Sequence, residues 1–475
     1  MQIDSSLVDG AGIGGDDLLS SDPSHGLDPQ QQEVMSTVPH LQHLWSYSCP
    51  ATEGLSCTVL DYNPMNEDLI VGGYGSWDFA NKTGGVIMLW TLKNPFNPIR
   101  VYELEHTSVV SLNFSRIHPY LLAVGLFDGT VAVYDLRSDS TAPVLQSELH
   151  SAISESKKQN ATSSVKHSVP VWNVLWERPS ALSATPPTQQ QLDDGGDAVK
   201  EEQSADGEDA DIDDAQNQES GGGAGGGSSA KMHRRQKLFS IASDGIIKQW
   251  SMKKGFISSN IMSLKRVPNL AAKRGSVIDN TIRSRQASGL CFDFPIGSNG
   301  SQYYVGTEDG IVHKCSISYN EQVLRTYCGH TGPVHRVHCS PFDPDKFITC
   351  SADWTINVWS QHKPVPLLQL TASSNEAVID CCWSPFNSCI FASASESGTL
   401  SVWNLEKNKK DPVIVQDTGS AIKHIMFAPN APAILCGQSS GDIQVFRLNN
   451  INTDRNQNDE HSQIMRLNKA LESES

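Results

Sequence analysis

Four residues of one stretch have types and spacing that let them act together: His330, then Ser351, Asp353 and Trp359. A buried imidazole can bond a carboxylate through one nitrogen and a hydroxyl through the other, and an indole N–H can close on that hydroxyl. Asp353 stands in the turn Ala352-Asp353-Trp354, where a carboxylate also accepts backbone N–H bonds. Three more aspartates, Asp128, Asp244 and Asp309, recur six residues before an aromatic or apolar anchor, as Asp353 does before Trp359. Recurrence at a fixed offset marks these residues as supports of repeated turns rather than as a reaction centre. The full set of four is expected only at His330 to Trp359.

No other grouping offers chemistry. The chain has no nucleophile elbow, phosphate loop or metal-ligand cluster, so no enzyme activity, cofactor or metal is expected. Gly10-Ala11-Gly12-Ile13-Gly14-Gly15 has the spacing of a dinucleotide fingerprint, but Asp16-Asp17 follows it where a pyrophosphate would sit. Eleven cysteines without a C-x-x-C pair fit buried thiols in a reducing cytosol. The first residues lack a basic and apolar leader, and no run of eighteen apolar residues exists.

Short strands must position the turn residues. Val334 to Cys339, Lys346 to Cys350 and Thr355 to Trp359 are rich in β-branched and aromatic residues and bounded by turn residues. One such unit cannot bury its apolar face, so copies are required. Anchors at Trp90, Tyr134, Trp250, Cys315, Trp359, Trp403 and Phe446 are spaced by 44, 116, 65, 44, 44 and 43 residues. These spacings predict an all-β, seven-bladed WD40 β-propeller over 41–449, with insertions in the two long gaps. A disordered segment is expected over 1–40, and a polar tail that frays over 450–475, although Ile464, Leu467 and Leu471 could share one helical face.

The first insertion, 178–236, is acidic and Gly-rich and falls within the third blade. Twelve of the 27 residues from Asp193 to Glu219 are Asp or Glu, with one Lys, which accounts for most of the net charge of −17. It is expected to stay disordered and to leave the face opposite the aspartate turns. The second, Val267 to Ala287, carries with its flanks Lys265, Arg266, Lys273, Arg274, Arg283 and Arg285, on the same face as those turns. Without interleaved stacking aromatics these cations do not signal nucleic acid; they suit docking of an acidic protein surface. Trp77 and Phe79, in a lengthened loop of the first repeat, are candidate partner contacts.

Several blocks resemble a known family. Tyr74-Gly75-Ser76-Trp77-Asp78-Phe79 with Leu92-Lys93-Asn94-Pro95, Val305-Gly306-Thr307-Glu308-Asp309-Gly310, Ser318-Tyr319-Asn320-Glu321 and Cys350-Ser351-Ala352-Asp353-Trp354-Thr355 are similar to the repeats of axonemal dynein intermediate chains, leaning to those of two-headed inner-arm dynein. The resemblance implies a non-catalytic scaffold that binds a dynein heavy chain beside other intermediate and light chains, among axonemal microtubule-associated complexes. Its expected location is the cytoplasm and cytoskeleton, in the axoneme of a cilium or flagellum. Members of that family carry a long N-terminal region that engages light chains; the roughly 40 residues before this propeller are too few for one, so a shortened form or absent light-chain binding is expected. Outside the resemblance, a general WD40 scaffold or substrate-receptor adaptor is the alternative. No nucleic-acid or membrane partner is expected.

Overall fold

The computed structural model describes residues 38–76, 84–147, 165–177, 236–252, 255–267, 285–298, 301–372, 375–451 and 460–472. Within them lie seven antiparallel four-stranded sheets. Blade five is built from Val334–Cys339, Lys346–Ser351, Thr355–Ser360 and Leu368–Thr371. The three strands expected there form within one residue of their expected ends. All seven anchors lie on third strands and are buried. Apolar side chains collect into seven clusters, and each joins two adjacent blades. A single repeat is therefore unstable alone for the reason anticipated: its apolar face is covered by its neighbours.

Polar side chains of the inner strands tie each blade to the next. Asp61 accepts from Phe114 N at 2.7 Å, Asp293 from Cys339 N at 2.8 Å, and Asp380 from Ile425 N at 2.8 Å. Asn113 accepts from Trp176 N at 3.0 Å, and His338 Nδ1 from Trp383 N at 3.1 Å. Near the other end of the inner strands, Thr58, Ser111 and His335 donate to carbonyls of Val109, Val171 and Val378. Buried backbone groups that face the neighbouring blade thus find partners.

One segment completes the expected domain and another departs from expectation. The strand His40–Tyr47 forms the outer strand of blade seven, pairing from His40 with Asn449 to Tyr47 with Ile443. The ring thereby closes with the start of the chain hydrogen-bonded to its last strand, and Tyr47 is fully buried. The C-terminal tail does not simply fray: Glu460–Glu472 is a helix. Leu467 and Ala470 bury against the cluster shared by blades five and six, joined by Leu471. Gln463 takes Ser388 N at 3.0 Å, and Arg466 pairs bidentately with Glu406 at 2.9 and 2.8 Å. The periodicity of Ile464, Leu467 and Leu471 was the correct cue, and polar composition the misleading one.

Candidate interaction surface

The turn aspartates converge on one face of the propeller. In blade five, His330 Nδ1 lies 3.2 Å from both oxygens of Asp353 and 3.0 Å from Thr355 Oγ1. Its Nε2 meets Thr349 Oγ1 at 2.6 Å, and Trp359 Nε1 donates to that same hydroxyl at 2.8 Å. The expected chain exists, with one correction: Thr349 carries the link assigned to Ser351. Thr349 and Ser351 lie two apart and so share a face of the strand. Trp359 pairs with Phe347, and Thr349 is the next residue on that face, while Ser351 sits at the strand end beside the turn. Ser351 instead donates to Gly332 O and accepts from Asp353 N. Burial disfavours the ionised Asp353. The bonds from His330, Thr355 and Thr331 N outweigh it and hold the carboxyl well below the usual range.

A second complete chain runs through blade three. His167 bonds Asp244 at 2.9 Å and Ser240 at 2.8 Å, and Trp250 donates to Ser240 at 2.8 Å. Blade five is therefore not alone. The 178–236 insertion separates His167 from its partners by more than seventy residues and hid the pattern. The remaining two aspartates pair with cations: Asp128 with Lys166 at 3.1 Å, and Asp309 with Arg266. Arg266 also pairs with Glu308, so this member of the expected docking loop is engaged inside the propeller. Lys265 and Arg285 are exposed where the loop leaves and rejoins it. Trp77, Phe79, Lys273, Arg274 and Arg283 lie outside the described residues, as does 178–235.

Trp354 carries a signal that was read only as part of a resemblance. Its φ is +68°, the left-handed region that a bulky residue seldom adopts. The equivalent position is glycine in five of the other blades: Gly129, Gly245, Gly310, Gly398 and Gly441, all at positive φ. At Gly129 and Gly398 a Cβ would stand 2.2 and 2.3 Å from a carbonyl of the loop entering the next blade. Around Trp354 that loop makes room, with Ala372 N donating to Trp354 O at 2.8 Å. The indole is half exposed. Trp354 thus combines a strained turn with a half-exposed indole, a side chain of the type enriched at protein interfaces.

The centre of the same face is a mouth of about 280 Å³. Every inner strand has a β-bulge near its start, skipping Thr58, Val110, Trp172, Leu290, His335, Ile379 and Lys423 in turn. The extra residue of each bulge is turned toward the axis, so these seven line the mouth. Arg336 lies 3.5 Å from Asp380, and His424 Nε2 3.8 Å from the same carboxylate. Burial pushes His424 down to about 4 and holds His335 below its usual range, so both imidazoles are neutral near pH 7. Among the described residues no group of three His, Cys, Asp or Glu is placed to hold a metal ion. None of the eleven cysteines forms a disulfide, and burial raises the thiols of Cys57, Cys291 and Cys436.

Comparison with known proteins bears on what such a face serves. Residues 295–431 match the family described as the WD40 domain of dynein axonemal intermediate chain 3. Dynein axonemal intermediate chain 4 of Mus musculus is 36% identical over 425 residues, 88% of this chain and 45% of its own length. This propeller is a homologue of the axonemal dynein intermediate chains. Dynein intermediate chain 2, ciliary, of Heliocidaris crassispina is 29% identical over 85% of this chain and 48% of its own length. The 78 kDa intermediate chain of the flagellar outer arm of Chlamydomonas reinhardtii is 25% identical over 85% of this chain and 50% of its own length. The chain thus spans half or less of the length of these relatives. The likeness to dynein axonemal intermediate chain 4 extends over 88% of this chain, well beyond the residues 295–431 that the family description matches.

Proposed function

We propose that this chain is a non-catalytic scaffold subunit of an axonemal dynein, binding a heavy chain through its propeller beside other intermediate and light chains in a ciliary or flagellar axoneme. The observation that carries the reading is the 36% identity to an axonemal dynein intermediate chain across 88% of this chain. An inner-arm motor is the finer form of the proposal, and it rests on the resemblance of the repeat blocks Val305–Gly310, Ser318–Glu321 and Cys350–Thr355 alone.

The physical case rests on the aspartate-turn face. A closed ring of stapled blades presents rigid loops, which lose little entropy on docking. Trp354 supplies an aromatic anchor of the kind that dominates protein interfaces, on the same face as the exposed Lys265 and Arg285, which steer an acidic partner. Trp77, Phe79, Lys273, Arg274 and Arg283 belong to the same proposal. The test is co-purification of the full chain from a ciliary extract, with heavy chains identified by mass spectrometry. Heavy chain should accompany the unmodified chain and be lost about tenfold faster from Trp354→Gly. Absence of heavy chain from the unmodified chain would overturn the family function; equal retention by Trp354→Gly would overturn only the anchor.

A further inference from the structure

The mouth of the central channel differs in kind from the rim around it. Most of its polar groups are committed to holding blades together. Thr58 donates to Val109 O, Ser111 to Val171 O, Asn173 to Phe292 O, and His335 Nδ1 to Val378 O. Asp380 is engaged by Cys381 N, Ile425 N and Arg336. Two groups stand apart. The Lys423 side chain has no hydrogen bond or ion pair among the described residues, and His424 Nδ1 is buried without a partner on a side chain only 9% exposed. Both face the cavity, one because the bulge of blade seven turns Lys423 inward and the other as its neighbour on the same strand.

We propose that this mouth binds an acidic peptide segment, one carboxylate of which bridges Lys423 and Arg336 while its backbone N–H meets Nδ1 of His424. Charge sets the sign of the ligand. With both imidazoles neutral, Arg336 and Lys423 oppose Asp380, the one carboxylate that lines the mouth, so the lining retains one net positive charge even though Arg336 is also within the field of Asp293 behind it. The orphaned nitrogen sets the class. His424 Nε2 faces the Asp380 carboxylate, which places the ring proton on Nε2 and leaves Nδ1 as an acceptor. An acidic residue in a peptide offers both an anion and an N–H donor, whereas the dianion of a phosphomonoester offers no donor.

The room fits a chain rather than an isolated ion. A second cavity of about 150 Å³ shares Thr58 and Lys423 with the mouth and runs outward over Ser56, Gly75 and Ser76 between blades seven and one. Trp172, its indole N–H held by Ser243 Oγ, gives the opposite wall a flat apolar surface. The acidic insertion of this chain is attached at the other end of blade three, where Glu177 N bonds Lys237 O, so the occupant proposed is a separate acidic peptide. This inference does not rest on the heavy-chain reading.

Fluorescence anisotropy with the full chain and a fluorescein-labelled hexaglutamate peptide tests it, with hexaglutamine as the neutral match. Hexaglutamate should bind at least about tenfold more tightly than hexaglutamine, and the difference should shrink as salt rises. Lys423→Glu should remove about tenfold or more of that affinity without changing the melting temperature. Lys363→Glu, at an exposed loop on the opposite face, should leave it within about twofold. Should the charge reversal unfold the chain, Lys423→Gln serves, with a smaller loss expected. Equal binding of the two peptides, no binding of either, or unchanged affinity in the Lys423 variants would overturn the proposal. So would full displacement by inorganic phosphate at matched ionic strength, which would reduce the site to a simple anion hole.

Discussion

Blade five and blade six share strand lengths, register and a third-strand tryptophan, and differ in what stands above it. Phe347 stacks on Trp359 with centroids 5.9 Å apart and planes 8° apart; Phe391 stacks on Trp403 at 5.9 Å and 7°. Trp359 donates to Thr349 at 2.8 Å, and Trp403 to Ser393 at 2.9 Å. There the likeness ends. In blade five the hydroxyl continues to His330 and Asp353, whereas Ser397 holds the turn of blade six with only the hydroxyls of Ser395 and Thr399. Stacking and the indole bond therefore suffice to build a blade. The carboxylate is an addition that stiffens one turn and its entry loop, through bonds to Thr331 N, Thr355 N and Thr355 Oγ1.

The largest expected effect breaks that difference directly. Asp353→Ala strands several buried donors and should cost about 2–3 kcal/mol in denaturant unfolding. Ser397→Ala should cost less than about 0.5 kcal/mol. The carboxylate also predicts acid sensitivity. Because its folded pKa is depressed, its contribution is complete above the unfolded value of about 4 and is lost as pH falls further. Asp353→Asn should therefore narrow the stability gap to the unmodified chain as the solution is acidified below about pH 4. Equal costs in the two blades would show that the chain of bonds does not matter.

Next in size is the link between imidazole and indole. Thr349→Val keeps the shape but leaves Trp359 Nε1 and His330 Nε2 without their shared hydroxyl, at a cost of about 2 kcal/mol. Ser351→Ala removes one bond to Gly332 O and should cost about 1 kcal/mol. The reverse ranking would restore Ser351 to the position first expected for it.

How much of this was legible follows from which interactions have a local signature. The anchors, the turn aspartates and the strands of blade five could be read because their spacing repeats within one blade. Thr349 was missed by two residues: it and Ser351 share a face of the strand, and only the cross-strand register, which sets Trp359 against Phe347, brings Thr349 rather than Ser351 within reach of the indole. His167 was seen only as the start of a repeat, because an insertion parted it from Ser240 and Asp244. The strand His40–Tyr47 was invisible for a different reason. Its partner is some four hundred residues away, and only ring closure brings the two together. The inward turn of Lys423 depends on a bulge, and a single extra residue leaves no mark in composition. Arg266 shows the limit of charge counting: it looked like part of a free cationic loop, yet it pairs with Glu308 and Asp309.

A smaller effect compares the two ends of the channel. At the face opposite the aspartate turns lies a cavity of about 460 Å³ that includes Asp61. Burial raises this carboxyl to about 6, although it accepts from Phe114 N and Tyr62 N. A raised folded pKa means that its contribution is complete below the unfolded value of about 4 and is lost as pH rises through about 6. Asp61→Asn, which can still accept from Phe114 N, should gain stability relative to the unmodified chain over that interval. The gain is expected to be on the order of 1 kcal/mol at pH 7, allowing for solvent screening in the open channel. A gap that stays constant from pH 4 to pH 7 would show that Asp61 ionises no later in the folded chain than in the unfolded one.

The smallest expected effect sharpens the contrast between blade five and the blades that place glycine at the same turn. Trp354 pays for its left-handed backbone, a strain on the order of 1 kcal/mol for a residue with a Cβ. Against that, glycine loses more backbone freedom on folding, and the half-exposed indole gives up some contact when removed. The terms nearly balance, so Trp354→Gly should stabilise the propeller by only about 0.5 kcal/mol, read as a small rise in the denaturant midpoint with unchanged slope. Trp354→Ala keeps the strain while losing the indole and should fall below the unmodified chain. The order Gly above Trp above Ala is what a strained but uncovered aromatic requires. If glycine proves the least stable of the three, the indole is part of the packing of blade five, and its exposure offers no reason to look there for a partner.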